Sequence, residues 1–203
     1  MKNGVILNNI GSPNGPDTRS VRIYLQEFLM DPGVIAIPFL LRFILVYLII
    51  TPFRAAQSAK KYQKIWTKEG SPLVVITQSI AKKLKAIGNN LDVETGMQFQ
   101  NPSIGTALKT LITNNSDLER IYFIPMFPQY SFATTDASIK KIKSEFGRLK
   151  NTLENKKIPE LFVMKPFYNS DFFINCVVDK IKSFNLDNYD LILFSYHGLP
   201  KSA

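Results

Sequence analysis

Short apolar runs alternate with longer amphipathic stretches along almost the whole chain. Each run is bounded by Gly, Pro or polar residues, which is typical of a strand buried on both faces in a parallel sheet. The runs cover residues 4–10, 93–99, 121–127, 161–164 and 191–194. The sequence therefore predicts strands at these five places.

The stretches between the runs have the period of a helix. After Pro72, apolar residues recur at helical spacing until Gly88 ends the pattern, and Asp17 is predicted to cap the first helix. The predicted helices cover residues 17–30, 54–66, 72–87, 137–149 and 171–184, and another begins after Ser103. Because strands and helices alternate, the predicted fold is α/β: a parallel sheet in a three-layer, Rossmann-like arrangement.

One segment, residues 34–53, is almost entirely apolar, and its length approaches that of a membrane span. However, Arg42 lies in its middle, and a central Arg costs about 2.5–3.5 kcal/mol on insertion scales. Pro38 also weakens a continuous helix. We therefore expect a buried or interfacial amphipathic segment, not a transmembrane helix.

Charge and composition narrow the classes of partner. The chain of 203 residues carries a net charge of +9, which suits anionic lipid, nucleic acid or a small molecule with carboxylates, or else a lysine-rich solvated surface. Signatures of nucleic-acid-binding modules are absent from the sequence, so no nucleic acid is expected as a partner. There is no G-x-G-x-x-G or Walker pattern for a nucleotide either.

Cysteine content and the N-terminus bear on cofactors and location. A single cysteine excludes an internal disulfide and an iron–sulfur cluster ligated within this chain. The apolar run at residues 5–7 is too short for a signal peptide, so a cytoplasmic protein is expected. Residues 150–157 are polar and lack periodicity, which predicts a linker.

The only histidine of the chain, His197, follows the apolar run at 191–194. Ligands bind beyond the carboxyl ends of strands in open α/β sheets, so this position favours a functional role. A largely neutral imidazole can accept a proton or offer a lone pair to a metal. The alternative is a hydrogen-bonded structural histidine, which is the more common situation for a lone histidine.

Four motifs together carry a resemblance to a known family. They are Gly-Ser-Pro at 11–13, the block from Ser58-Ala-Lys to Gly-Ser-Pro-Leu at 70–73, Pro-Gln-Tyr-Ser-x-x-Thr-Thr at 128–135, and Ser-Tyr-His-Gly-Leu-Pro at 195–200. In these motifs the chain resembles the ferrochelatases, which insert ferrous iron into a porphyrin. The resemblance implies two similar α/β halves: a first domain at residues 1–156, nearly complete, and the start of a second at 157–203, truncated.

The resemblance also implies site residues. His197 would be the catalytic proton acceptor and the transient metal ligand. The residues expected to bind the porphyrin are Ile10, Arg54 (or Lys60) near the propionates, Tyr62, Ser71, Tyr130, Ser131 and Thr135. Thr135 or Asp136 has another interpretation, as the N-cap of helix 137–149. Residues 34–53 correspond to an apolar lip beside the porphyrin cleft that lies against the bilayer in some members, which predicts peripheral contact with the inner membrane.

The chain departs from the family pattern in two respects. Where Met-Arg-Tyr-Gly-Asn-Pro is expected, it has Met97-Gln98-Phe99-Gln100 followed by Asn-Pro, so an arginine is replaced by a neutral amide. Arg and Gln are not interchangeable, which puts the role of that arginine in doubt. The family also places an acidic residue, opposite the histidine, in a part of the sequence that this chain lacks.

The sequence is compatible with three hypotheses of function. The first is iron insertion into protoporphyrin IX or coproporphyrin III, with Fe²⁺ as a substrate and no further cofactor. The second is a porphyrin-binding protein without catalytic activity, or a chelatase for another metal or tetrapyrrole. The third is a membrane-surface protein that uses residues 34–53 and their basic flank.

Overall fold

The structure is a computed structural model, and it describes residues 2–88, 90–152 and 158–198. The strands are β1 (Lys2–Gly11), β2 (Leu91–Phe99), β3 (Leu118–Pro125) and β4 (Glu160–Val163). The α-helices are α1 (Thr18–Leu29), α2 (Phe39–Ile44), α3 (Thr51–Ile65), α4 (Pro72–Ile87), α5 (Ile104–Asn114), α6 (Ala137–Thr152) and α7 (Asp171–Lys182). Two π-helical turns, Leu45–Ile50 and Phe132–Asp136, precede α3 and α6, and a 3₁₀ turn spans Leu186–Asn188.

The four strands form one parallel sheet in the order β2-β1-β3-β4. Val5 of β1 is in register with Val93 of β2 on one side and with Tyr122 of β3 on the other. Strand β4 pairs with β3 through Phe123 and Val163. Because all strands run in the same direction, their carboxyl ends meet at one edge of the sheet.

Side chains alternate between two helical layers. On one face, Ile6 and Phe123 pack against α5 and α6 in a cluster that includes Leu108 and Ile142. On the other face, Val5, Leu7 and Val93 pack against Ala81 of α4. Sheets of this kind are normally covered on both faces, and here the predicted three-layer α/β fold is confirmed.

A continuous helical run from Phe39 to Ile65 contains the predicted apolar segment. The buried positions of this run are Arg42, Val46, Thr51, Ala55 and Ala59. Their spacing is four residues except across the π-helical turn, where it is five. A π turn closes its hydrogen bonds one residue later than an α turn, so it keeps the buried stripe in phase.

The outer face of this run is apolar and exposed to solvent. Phe39, Leu40, Leu48 and Phe53 are each more than 60% exposed. By length and composition alone the run could cross a membrane, and it is the one such helix in the described ranges. Arg42 turns inward and donates from Nη1 to the carbonyl oxygen of Ile35 at 2.8 Å, so the exposed face of α2 carries no charge at this position.

Two sequence predictions about the later part of the chain are wrong. Residues 191–194 form no strand: their side chains are exposed, and Leu193 is 81% exposed. The strand predicted at 161–164 does form, but as β4 it extends the first sheet and does not open a second one. The division into domains at 156/157 stays a prediction. Helix α6 extends to Thr152, and the rest of the predicted linker, 153–157, lies outside the described residues.

Candidate functional site

The carboxyl edge of the sheet is where the loops after β1, β2 and β3 come together. Gly11 ends β1 with φ of 98°, and a Cβ built there would lie 2.0 Å from the carbonyl oxygen of Phe99. Only glycine fits, because it accepts a positive φ and leaves room for the neighbouring backbone. The loop that begins at Ser12 is therefore held directly against the end of β2.

Ser71 lies in a cavity at this edge. It is buried, and the cavity has a volume of about 200 Å³ and also includes Asn14, Trp66 and Asn101, from the loops after β1, α3 and β2. Pro72 begins α4 directly after Ser71, and the Ser71 hydroxyl makes no capping hydrogen bond to that helix. The hydroxyl is thus positioned by the chain without being used as a helix cap.

Ile10 is the penultimate residue of β1 and is half-buried. Its backbone N–H donates to Oδ1 of Asn9 at 2.9 Å, and Nδ2 of Asn9 donates to the hydroxyl of Thr77 in α4 at 3.2 Å. These bonds fix the last residues of β1 against α4. Ile10 is therefore held at the edge predicted for the porphyrin.

Tyr62 belongs to α3 and contacts α1. Its ring makes edge contacts with Trp66, at 6.4 Å between centroids, and with Tyr24 of α1, at 6.2 Å. Trp66 lies one helical turn after Tyr62 and lines the cavity that holds Ser71, so Tyr62 adjoins that cavity through this contact. Arg54 lies on the same helix, about 12 Å before Tyr62 at 1.5 Å per residue, and is exposed.

The phenols of this pair stay protonated at neutral pH. Burial raises the pKa of Tyr24, and contact and a hydrogen bond with Tyr62 raise it further. Burial also raises the pKa of Tyr62, against the opposing effect of the hydrogen bond that it accepts from Tyr24. Tyr62 therefore offers a neutral aromatic surface.

The loop after β3 carries the other predicted residues. Tyr130 is 47% exposed and packs edge-on against Phe132, at 5.7 Å between centroids. Ser131 and Thr135 are buried: the Ser131 hydroxyl lies 2.6 Å from that of Thr134, and Thr135 donates to the carbonyl oxygen of Gln129 at 3.3 Å. Of the predicted residues in this loop, Tyr130 faces outward, while the hydroxyls of Ser131 and Thr135 make hydrogen bonds within the loop.

The prediction that Thr135 or Asp136 caps the following helix is wrong. Both residues lie inside the π-helical turn that runs directly into α6, so neither occupies a cap position. Asp136 instead pairs with Lys140 at 2.7 Å, one turn later. The pattern could not reveal this, because a π turn has no composition distinct from the start of an α-helix.

Sequence reasoning missed a group of polar residues behind this loop. Gln98, which is 1% exposed, donates from Nε2 to the carbonyl oxygen of Ala133 at 3.3 Å and accepts from the hydroxyl of Ser138 at 2.9 Å. Lys141 donates to the backbone oxygen of Gln98 and pairs with Glu27 of α1 at 3.6 Å. The departure from the family pattern at position 98 was the signal that could have drawn attention to them.

Gln100 continues this group. Its φ is 63°, unusual for a residue other than glycine, and its backbone N–H donates to Glu27 at 3.0 Å. Its side chain connects Glu27 with Asn14, whose Nδ2 donates to Oε1 of Gln100 at 3.1 Å. Hydrogen bonds thus connect α1 with the loops after β1 and β2.

A second, larger cavity of about 580 Å³ opens between the end of α1 and α6. Tyr47, Phe99 and Phe132 contribute its aromatic side chains. Its lysines are paired with carboxylates, Lys140 with Asp136 and Lys141 with Glu27. Phe132 lines this cavity and contacts Tyr130 edge-on, so the cavity adjoins the loop that carries Tyr130.

His197 lies in neither a helix nor a strand, and no such element places it at this edge. It is exposed, it follows an irregular segment, and no hydrogen bond, ion pair or ring contact joins it to Tyr62, Ser71 or Tyr130. The last part of its motif, Leu199 and Pro200, lies outside the described residues. Within residues 2–88, 90–152 and 158–198, no group of three or more His, Cys, Asp or Glu side chains could hold a metal ion.

Comparison with known proteins identifies the family. The family model for ferrochelatases matches residues 2–203. The chain belongs to the ferrochelatase family. It is 40% identical over 202 residues to a ferrochelatase of Legionella pneumophila (strain Philadelphia 1), with 99% of this chain and 58% of that protein covered. It is 39% identical over 201 residues to a ferrochelatase of Coxiella burnetii (strain RSA 493), with 98% of this chain and 54% of that protein covered.

The ferrochelatase resemblance is thus confirmed, and the chain spans little more than half the length of these relatives. The matched portion includes every predicted site residue, from Ile10 to His197. The parallel α/β sheet is the framework on which these residues lie.

Proposed function

We propose that this chain binds a porphyrin at the carboxyl edge of its sheet and takes part in the insertion of Fe²⁺ into it. Family membership supports this function, and the observation that carries it is the arrangement of aromatic residues at that edge. Trp66 lines the cavity at this edge and contacts Tyr62, and Tyr130 projects from the loop after β3. Aromatic and apolar side chains suit a flat, poorly soluble macrocycle.

The carboxylates of the porphyrin require cations. Arg54 is exposed on α3, and a guanidinium can bind a propionate by two parallel hydrogen bonds. Lys60 is exposed on the same helix and offers a second positive charge. The substrate is accordingly a free-base porphyrin with propionates, and competition between protoporphyrin IX and coproporphyrin III distinguishes the two forms.

The reaction exchanges two protons for one metal ion. Fe²⁺ enters the macrocycle as a substrate, two pyrrole N–H protons leave, and the charge of the porphyrin is unchanged. His197, the one imidazole of the chain, is first a transient ligand for the iron; once the iron has passed to the pyrrole nitrogens, the freed lone pair accepts one of the protons, and the other is released to water. A metal that must leave again suits a site with few protein ligands.

The test compares the chain with its His197→Ala variant under anaerobic conditions, with porphyrin absorbance as the readout. We expect the variant to bind porphyrin with unchanged affinity and to insert iron about 100-fold more slowly or worse, the usual contribution of a general base. The exposed position of His197 means that its removal leaves the fold intact. Iron insertion at an unchanged rate would contradict the role of His197.

A second candidate function is porphyrin binding without iron insertion. It is favoured by the position of His197, which lies on an irregular exposed segment and makes no contact with the edge that carries Tyr62 and Tyr130. This candidate predicts a change in porphyrin absorbance on binding and no further change when iron is added. The same titration therefore separates the two functions.

We also propose that the helical run Phe39–Ile65 makes peripheral contact with a membrane. The support is its exposed apolar face, together with the inward position of Arg42. Exposed basic residues follow on α3, among them Arg54, Lys60 and Lys64, and can approach anionic headgroups. An apolar face next to a basic one is the pattern of a helix that lies in the membrane interface.

A further inference from the structure

The side chain of Gln98 joins three parts of the molecule. It belongs to β2, and its amide contacts Ala133 in the π-helical turn and Ser138 in α6. Both ends of the amide are used: Nε2 donates to a backbone carbonyl, and Oε1 accepts from a hydroxyl. Since Gln98 is 1% exposed, water does not replace either partner if the amide is lost.

The segment that Gln98 contacts is the one that carries Tyr130. The backbone N–H of Asp136 donates to the carbonyl oxygen of Ser131 at 3.2 Å, which closes the turn around Ala133. The Gln98 bond to Ala133 anchors the middle of this turn to the sheet. A shift of the turn would displace Ser131 and, with it, the neighbouring Tyr130.

Lys141 explains why a neutral side chain suits position 98. Its ammonium group donates to the backbone oxygen of Gln98, pairs with Glu27 and lies 5.6 Å from the centre of the Phe99 ring. One positive charge is therefore already present at the carbonyl of residue 98. A cation on the side chain of the same residue would add a second positive charge near that ammonium group, at a cost in electrostatic repulsion.

We propose that Gln98 is a positioning residue, whose buried amide holds the Tyr130–Thr135 loop in place for porphyrin binding while Lys141 supplies the positive charge beside it. The amide does not touch the porphyrin. It acts through the carbonyl of Ala133 and the hydroxyl of Ser138. The link to porphyrin binding rests on the proposed function, whereas the effect of Gln98 on the stability of the loop can be measured without any ligand.

The experiment measures backbone hydrogen exchange in the 203-residue chain and its variants. Gln98→Leu removes both hydrogen bonds at similar volume, and Gln98→Glu keeps an acceptor for Ser138 but loses the donor to Ala133. Gln63→Leu makes the same chemical change at an exposed position on α3 and is the matched control. Exchange is compared between peptides covering residues 129–137 and peptides covering β3.

We expect exchange in residues 129–137 to be roughly three- to tenfold faster in both Gln98 variants, because both lose the buried hydrogen bond to Ala133, with β3 and the control unchanged. No change in residues 129–137 would overturn the proposal. An equal acceleration in β3 would also overturn it, because Gln98 would then contribute to overall stability alone.

Porphyrin affinity provides the second readout. We expect both Gln98 variants to bind porphyrin more weakly than Gln63→Leu, in proportion to the local loss of protection. If the unaltered chain binds no porphyrin, the proposed function fails while the exchange result still decides the role of Gln98. If the variants lose protection in residues 129–137 but keep full porphyrin affinity, the loop does not need Gln98 to bind porphyrin and this proposal is wrong.

Discussion

Single residues at the carboxyl edge have roles that their type alone does not reveal. Gln98 was singled out by sequence only as a missing arginine, yet its amide has two partners that come from residues 35 and 40 positions further along the chain. Ser131 and Thr135 were predicted to bind the porphyrin, and this stays a prediction; their hydroxyls make hydrogen bonds within their own loop. Such partners depend on how distant segments meet, which no local pattern contains.

Gly11 allows a direct test of how closely β1 and β2 approach at the edge. Gly11→Ala should destabilise the fold by more than about 1–2 kcal/mol, the penalty of the left-handed conformation alone, because the new methyl group also meets the Phe99 carbonyl. Gly147→Ala in α6, where nothing lies within 4 Å, is the control and should stabilise by up to about 1 kcal/mol. Urea unfolding measures both, and similar effects of the two substitutions would contradict this geometry.

At the scale of single elements, the start of α1 was predicted correctly. Asp17 caps the helix: Oδ1 accepts from the backbone N–H of Ser20 at 2.9 Å, and Oδ2 accepts from its hydroxyl at 2.6 Å. Cap residues can be predicted because the partner lies three positions away in the sequence. The π-helical turn in the run after Phe39 was harder to predict, because it depends on how Val46 and Thr51 pack against the rest of the fold.

The cap of α1 has a predictable dependence on pH. Hydrogen bonds from the hydroxyl and the backbone N–H of Ser20 lower the pKa of Asp17 in the folded chain. A carboxyl whose pKa falls on folding stabilises the fold above its ordinary pKa of 3.8, and this contribution is lost as the pH falls from there through the lowered value. Asn also caps a helix but does not titrate in this range.

The corresponding measurement is urea unfolding of the chain and of Asp17→Asn between pH 7 and pH 3. Relative to Asp17→Asn, the chain should keep a constant stability difference down to about pH 4 and lose stability below it. A stability difference that does not change between pH 7 and pH 3 would show that these hydrogen bonds do not lower the pKa of Asp17 in the folded chain.

The exposed apolar face gives a prediction for membrane contact. Leu40 and Leu48 are 67% and 63% exposed, so a Leu40→Gln and Leu48→Gln double variant should keep the stability of the fold and sediment less with vesicles containing phosphatidylglycerol. Ile87→Gln, at an 81% exposed position on α4, is the control and should sediment like the unaltered chain. Equal sedimentation of all three proteins would rule out contact through this face.

For the whole molecule, the alternation of strand and helix was enough to predict the fold class. The order β2-β1-β3-β4 places the first strand in the middle, where its Val5 and Ile6 are covered on both faces, as its apolar run indicated. Residues 191–194 have an equally apolar run but form no strand. A strand requires a neighbour to bond with, and an apolar run does not reveal whether one is present.

The assignment of β4 failed for a related reason. Its four residues pair with β3, and Leu161 and Val163 pack against the same cluster as Phe123. The sequence placed this strand after a polar stretch, which indicated a boundary between domains. Pairing partners are decided by register and packing across the sheet, and a linker of ordinary composition is compatible with either arrangement.

The central claim is that the carboxyl edge of this sheet binds a porphyrin, and absorbance titration of the chain with protoporphyrin tests it most directly. We expect saturable binding of one porphyrin per chain, weakened about tenfold or more by Tyr62→Ala or Tyr130→Ala, because large aromatic contacts carry much of the energy of such sites. Phe162→Ala, which removes a ring on β4 that is 43% exposed, close to the 47% of Tyr130, should leave the affinity unchanged. Absence of binding, or equal weakening by all three substitutions, would contradict the claim.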